Sequence, residues 1–167
     1  MNNQYIHINH TFPAVFDKNS TILILGSVPS VKSREQGFFY MHPQNRLWKV
    51  LSRIFNEDFV TASTDAKKAM LLKHNVALYD VVESCDIIGS SDVSIKNVEP
   101  STEVVNQILK TGKINKIVLN GGKAATLFDK YFNINSIEVI KLPSTSPANA
   151  ACKLDELVQK WNAIIVN

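Results

Sequence analysis

Apolar residues fall into two kinds of run along the chain. Some are short and unbroken: residues 21–25 (TILIL), 76–82 (VALYDVV) and 116–119 (KIVL), the first stopped by Gly26 and the last by Asn120-Gly121-Gly122. Such β-branched and aliphatic runs predict strands covered on both faces. Residues 136–140 (SIEVI) predict a further strand. Others recur every three to four positions. Within residues 44–55, Leu47, Val50, Leu51 and Ile54 form a stripe along one side of an amphipathic helix. Helices are also predicted over residues 66–73 with Thr64 as cap, from a capping Ser101 to Thr111-Gly112, over 123–132 and over 154–165. Strands alternating with helices imply parallel pairing. The expected fold is a three-layer α/β/α sandwich around a central, mostly parallel four-stranded sheet.

In such sheets ligands bind beyond the carboxyl ends of the strands. That singles out three loops: from Gly26, from Asn120, and residues 142–150 (LPSTSPANA). The chemically interesting polar residues fall there. The chain of 167 residues is 45% hydrophobic and 20% charged, the size of one domain with a full core, and nothing marks a linker, so residues 1–167 are expected to form a single domain. A net charge of +3 permits a polyanionic partner without requiring one. Cys85 and Cys152 are too few for a four-thiolate zinc or iron–sulfur site, so no metal, cluster or other cofactor is expected. The start, MNNQYIHINH, has neither a basic segment nor an apolar run, and no stretch is long enough to span a bilayer. A cytoplasmic protein without a membrane partner is expected.

The first loop nearly spells a phosphate-binding P-loop, since Gly26 is followed at the right distance by Lys32 and Ser33. Val31 stands where that loop needs glycine, Pro29 removes a backbone donor, and no helical stripe begins before about Gln44. A serine-hydrolase elbow fails as well, because the segment reads Gly26-Ser27-Val28-Pro29-Ser30. What the loop offers instead is Gly37-Phe38-Phe39-Tyr40-Met41-His42-Pro43-Gln44-Asn45-Arg46, planar rings followed by amide and basic groups. That combination suits a heterocyclic base. Plugging the top of the core is the other use for such rings.

The order GSVPSVKSREQGFFY, HPQNRLWKVL, ALYDVVESCDIIGSSD and LPSTSPANA, from about Phe12 to the last helix, resembles the uracil-DNA glycosylase superfamily, and within it the hypoxanthine-DNA glycosylase family. The resemblance implies a monofunctional base-excision repair enzyme, monomeric, acting on DNA that contains a deaminated base. Hypoxanthine is the implied base. Uracil, xanthine or mismatch-specific excision, or a catalytically silent nucleic-acid-binding domain, are the alternatives. The mismatch-specific branch carries a water-positioning asparagine where this chain has Val28, and the uracil enzymes' aspartate shortly after it is missing too.

The resemblance therefore leaves Asn45 as the catalytic candidate, orienting water or the flipped nucleotide, a role compatible with capping the helix that follows. It implies base contacts for Tyr40, expected beneath the flipped purine, and for Gly26, Ser27 and Phe39. Asn120, a polar amide ending a buried strand, is a reader of the base edge or a helix cap, and His42 an acid or a loop brace. In the last loop Pro143 and Pro147 give stiffness, while Ser144, Thr145, Ser146, Pro147 and Asn149 are the expected DNA contacts. Lys32, Arg34, Arg46 and Lys141 flank the loops and are expected to follow phosphates. His7 and His74 have no partner in sequence and read as surface residues.

Overall fold

The structure, a computed structural model, describes residues 3–166. Strands β2 (Ile22–Gly26), β3 (Val76–Asp80), β6 (Lys116–Asn120) and β7 (Glu138–Leu142) pair in parallel in the order β3-β2-β6-β7, the four-stranded parallel sheet that was expected. The unbroken apolar runs become three of its four strands: every residue of β2 and β3 is buried, with Leu23, Ile24 and Leu25 fully so. Each such aliphatic side chain contributes roughly 1.5–3 kcal/mol through burial. Helices α2 (Leu47–Phe55), α3 (Thr64–Lys73), α4 (Thr102–Thr111), α5 (Gly122–Tyr131) and α6 (Leu154–Ile165) flank the sheet, with α2 against α6, α3 against β3 and α5 against β6. No helix among the described residues is long and apolar enough to cross a membrane.

Several local expectations need correction. The run 76–82 is two strands, because the chain turns after Asp80 and continues as β4 (Val82–Ile87). With β1 (Ile6–Asn9) and β5 (Lys96–Pro100), β4 forms a three-stranded antiparallel sheet, order β1-β4-β5, that the sequence pattern did not announce. A short helix, α1 (Val31–Gln36), follows β2, where no helix was expected before about Gln44. It lacks an apolar stripe, since Ser33 is its only buried residue, and it is held by its ends: Ser30 caps it and Gly37 closes it at φ 70°. Ser63, not Thr64, caps α3 by accepting from the Ala66 N–H. The hydroxyl of Ser101 does not cap α4; it donates to the Asp80 carbonyl at 2.6 Å. His74 pairs with Glu57 at 2.6 Å and stacks on Phe55, and His7 meets Asp86 at 2.8 Å, so both have partners that sequence did not reveal.

Register then positions the site. Gly26 pairs with Asp80, Leu25 with Leu119 and Asn120 with Leu142, so the strand ends come out side by side. Strand β2 has β3 on one side and β6 on the other. A crevice opens where the chain reverses its direction across a sheet of this kind, and here it lies over Gly26 and Asn120.

Candidate active site

A cleft of about 870 Å³ occupies that crevice. Of the residues singled out from the sequence, Asn45, Tyr40, Asn120, Gly26, Ser27, Phe39, His42, Ser144, Thr145, Ser146, Pro147 and Asn149 line it, as does Lys141. Lys32, Arg34 and Arg46 do not.

Its floor is a line of hydrogen bonds through Thr145, which is fully buried. The Asn120 Nδ2 donates to Thr145 Oγ1 at 3.0 Å, and the Thr145 N–H returns a bond to Asn120 Oδ1 at 3.0 Å. The Thr145 hydroxyl then donates to Asn45 Oδ1 at 2.9 Å. Asn45 Oδ1 also accepts the Leu47 N–H at 3.0 Å, which starts α2. That backbone donor fixes the orientation of the amide, since the flipped rotamer would set N–H against N–H. Both acceptor sites of the oxygen are filled, and what Asn45 has left is its Nδ2 donor pair. Asn120 does not cap α5, whose N-cap is Gly121.

Tyr40 is held at φ 53°, a left-handed conformation unusual for a side-chain-bearing residue, and its carbonyl is pinned by the Trp48 Nε1 donor at 3.0 Å. The residue as a whole is half-buried, but its hydroxyl is buried and has no hydrogen-bond partner among the described residues. Burial, and after it the charge of Asp80, push the phenol above the ordinary tyrosine range; Asn120, whose Nδ2 keeps a second hydrogen beside the one given to Thr145, pulls the other way. Gly26 makes this arrangement possible: a Cβ there would lie 2.6 Å from Asp80 Oδ1 and 2.7 Å from the Tyr40 hydroxyl. Phe39, 1% exposed, packs edge-on against Phe12 and Phe38, so it walls the cleft and offers little free ring. His42 accepts the Gln44 N–H on Nδ1 at 3.1 Å, bracing the loop.

The last loop is built inward from Arg46. Its guanidinium donates to the carbonyls of Thr145, Ser146, Asn149 and Cys152, tying residues 145–152 to the start of α2. Arg34 likewise bonds the carbonyls of Pro29 and Gly89, and Lys32 leans on Glu35 at 3.4 Å. These cations, expected to follow phosphates, are engaged with the protein itself. Backbone donors that a phosphate cradle would need are taken: the Ser33 N–H by Ser30 Oγ and the Val31 N–H by Ser90 Oγ.

Sequence reading missed Asp80, His10, Asp92, Lys123 and Lys160. Asp80, 4% exposed, closes β3 at the cleft, and His10 Nε2 meets its Oδ2 at 2.8 Å. Asp80 ends a buried strand at the ligand edge, as Asn120 does, but in sequence it stands inside the one unbroken run 76–82. Asp92 accepts from the Ser27 hydroxyl at 3.1 Å at the exposed rim, Lys123 adds positive charge to the lining beside Lys141, and Lys160 stands there paired with Glu156 at 3.0 Å. Cys85 and Cys152 are buried free thiols.

A profile described as the uracil DNA glycosylase superfamily matches residues 13–165. The chain belongs to that superfamily. Among curated relatives, the hypoxanthine DNA glycosylase of Methanosarcina barkeri is 34% identical over 141 residues, 83% of this chain and 86% of the relative. That of Methanosarcina acetivorans is 34% identical over 158 residues, 94% of this chain and 98% of the relative. A solution NMR structure from Methanosarcina acetivorans superposes with a TM-score of 0.73 at 28% identity, covering 92% of this chain and 94% of that one. Within this superfamily fold the loop residues expected to meet the base surround one cleft, while Arg34 and Arg46 brace it.

Proposed function

We propose that the protein is a hydrolytic DNA glycosylase that removes hypoxanthine from DNA. The observation that carries this reading is at the closed end of the cleft, where the unpartnered buried hydroxyl of Tyr40 and the carboxylate oxygen Asp80 Oδ1 crowd the same point above Gly26. A buried donor without a partner costs about 1–3 kcal/mol and invites a ligand acceptor. Deamination turns the adenine edge, a donor at N6 beside an acceptor at N1, into an acceptor at O6 beside a donor at N1. A phenol donor next to a carboxylate acceptor is complementary to the second edge and mismatched to the first. Sites built this way reject the wrong partner by up to ~10⁴-fold, because their own buried groups are then left unpaired.

Because its hydroxyl lies in the plane of the ring, Tyr40 in this role meets the edge of the extruded base and does not lie beneath it. Asn45 serves the leaving group. Cleavage develops an oxocarbenium-like sugar and negative charge on the purine, and the free Nδ2 donors of Asn45 stabilise that charge, its oxygen being occupied by Leu47 and Thr145. Holding the flipped nucleotide therefore suits Asn45 better than taking a proton from water. Lys123 and Lys141 at the cleft, with Ser144, Ser146 and Asn149 on the Arg46-braced loop, are the proposed DNA contacts. The names of the two Methanosarcina relatives support hypoxanthine as the base.

The test is a duplex oligonucleotide with one deoxyinosine, incubated with excess protein and then treated with alkali to cut abasic sites. Strand scission at the lesion, with parallel uracil and xanthine duplexes cut more slowly, is the expected outcome. No scission at any of the three lesions would remove the reading.

A further inference from the structure

His10 lies outside every motif considered so far, yet its side chain is fully buried and that of Asp80 nearly so. Its two ring nitrogens have different partners. Nδ1 is 3.0 Å from the Phe12 carbonyl, and a carbonyl only accepts, so Nδ1 carries a hydrogen. Nε2 is 2.8 Å from Asp80 Oδ2, a contact that needs one proton between the two atoms. That proton sits on Nε2, giving imidazolium and carboxylate, or on Oδ2, giving neutral imidazole and carboxylic acid. Either way the pair is neutral as a whole, and Asp80 Oδ1 stays turned toward Gly26 and the cleft.

A lone carboxylate would be a poor neighbour for this reaction. The departing purine is an anion, and an uncompensated charge beside it in a desolvated pocket raises the barrier. Resting on the glycosylase reading above, we propose that His10 is a positioning residue: its shared proton lets Asp80 present an acceptor oxygen to the N–H of a deaminated base without leaving a net negative charge against the leaving group. The groups that face the pair fit this role. The Tyr40 hydroxyl is on the cleft side; the Tyr79 ring lies 4.3 Å from His10 with its hydroxyl donated to Glu83; Asp92 stands at the rim; and α4 contributes the Ser101 hydroxyl on the Asp80 carbonyl. Lys123 of α5 faces Asp92 at the rim; of the groups hydrogen-bonded to Asp80, His10 alone can compensate its charge.

The experiment follows single-turnover excision of deoxyinosine against pH for the wild type and His10→Gln. Glutamine keeps a hydrogen bond but holds no extra proton, so in the variant Asp80 alone titrates. In the wild type the site gains negative charge only when the pair gives up its shared proton, and in the variant as soon as Asp80 is ionised, so the alkaline fall in rate should begin at lower pH, with a roughly tenfold deficit at the upper end of the range. Adding Asp80→Asn to His10→Gln makes the site neutral at every pH and should abolish the displaced limb. A purely structural His10 would lower the rate uniformly and leave the limb in place, and that result overturns the proposal. Independently of any variant, ¹⁵N spectra of the wild-type imidazoles should show Nδ1 of His10 protonated; an unprotonated Nδ1 also overturns it. If the wild type excises nothing, the glycosylase reading fails and the proposal with it. Excision with an unshifted limb sinks the proposal alone.

Discussion

Gly26→Ala probes the closed end of the cleft most sharply. The added Cβ would meet Asp80 Oδ1 at 2.6 Å and the Tyr40 hydroxyl at 2.7 Å, so about 0.8 and 0.7 Å of movement are needed to reach the 3.4 Å of an ordinary contact. Neither atom yields cheaply, since Asp80 is held by His10 and the Tyr40 backbone by Trp48. Overpacking of this kind costs about 1–3 kcal/mol, which in a chain of this size lowers the melting temperature by ~2–4 °C per kcal/mol. Displacing recognition groups by nearly 1 Å costs about 10²-fold in rate. Both are measured on one preparation, by thermal melting and by single-turnover excision of deoxyinosine. Gly37→Ala is the control: at φ 70° with open space around its Cβ it suffers backbone strain of ~1–2 kcal/mol, yet it does not line the cleft. It should melt lower while excising normally. A Gly26→Ala protein that melts and excises like the wild type would refute the placement of Tyr40 and Asp80 above this glycine.

Tyr40→Phe removes a buried hydroxyl that has no protein partner; the protein should melt unchanged or up to ~1 kcal/mol more stable while losing at least about tenfold in deoxyinosine excision, an opposition seen by comparing melts with rates. Asn45→Ala should lose about 10²- to 10³-fold in excision, the usual effect of removing one preorganised donor, while duplex binding in a gel-shift assay persists. Asn45→Asp, which keeps the acceptor for Leu47 but has no N–H, should be at least as poor; near-wild-type activity would mean that the amide oxygen, not the nitrogen, is the working atom. Arg46→Ala frees four carbonyls of the last loop and should cost about 1.5–3 kcal/mol with faster hydrogen exchange across residues 143–152, read by mass spectrometry.

The parallel sheet was legible because β2 and β6 are buried almost throughout and are therefore written as continuous apolar runs, as in residues 21–25 and 116–119. The antiparallel sheet was not, for the opposite reason. Strands β1 and β5 expose most of their residues: β1 alternates Ile6-His7-Ile8-Asn9 over only four positions, with Ile6 itself exposed, and β5 offers Val98 among polar neighbours, too little pattern to read. Asn45, Tyr40 and Asn120 were found through loop position and family resemblance, but their hydrogen-bond partners are up to 100 residues away. Sequence spacing gives no access to such contacts. Arg46 looked like a phosphate ligand because a guanidinium beside a DNA-facing loop usually is one; only the folded loop, which turns its carbonyls toward α2, shows where the donors go. Asp80 and His10 are 70 residues apart, and the turn after Asp80 that makes it a strand end was masked by two valines continuing the apolar run.

The central claim is that this cleft releases a deaminated purine and spares the normal one. It is tested most directly by mass spectrometry of the small molecules freed when excess protein meets duplexes that differ only in carrying deoxyinosine or deoxyadenosine at one position. Free hypoxanthine in step with abasic strand, and no free adenine, is the predicted result. Intact deoxyinosine at enzyme excess, or adenine released at a comparable rate, would contradict it.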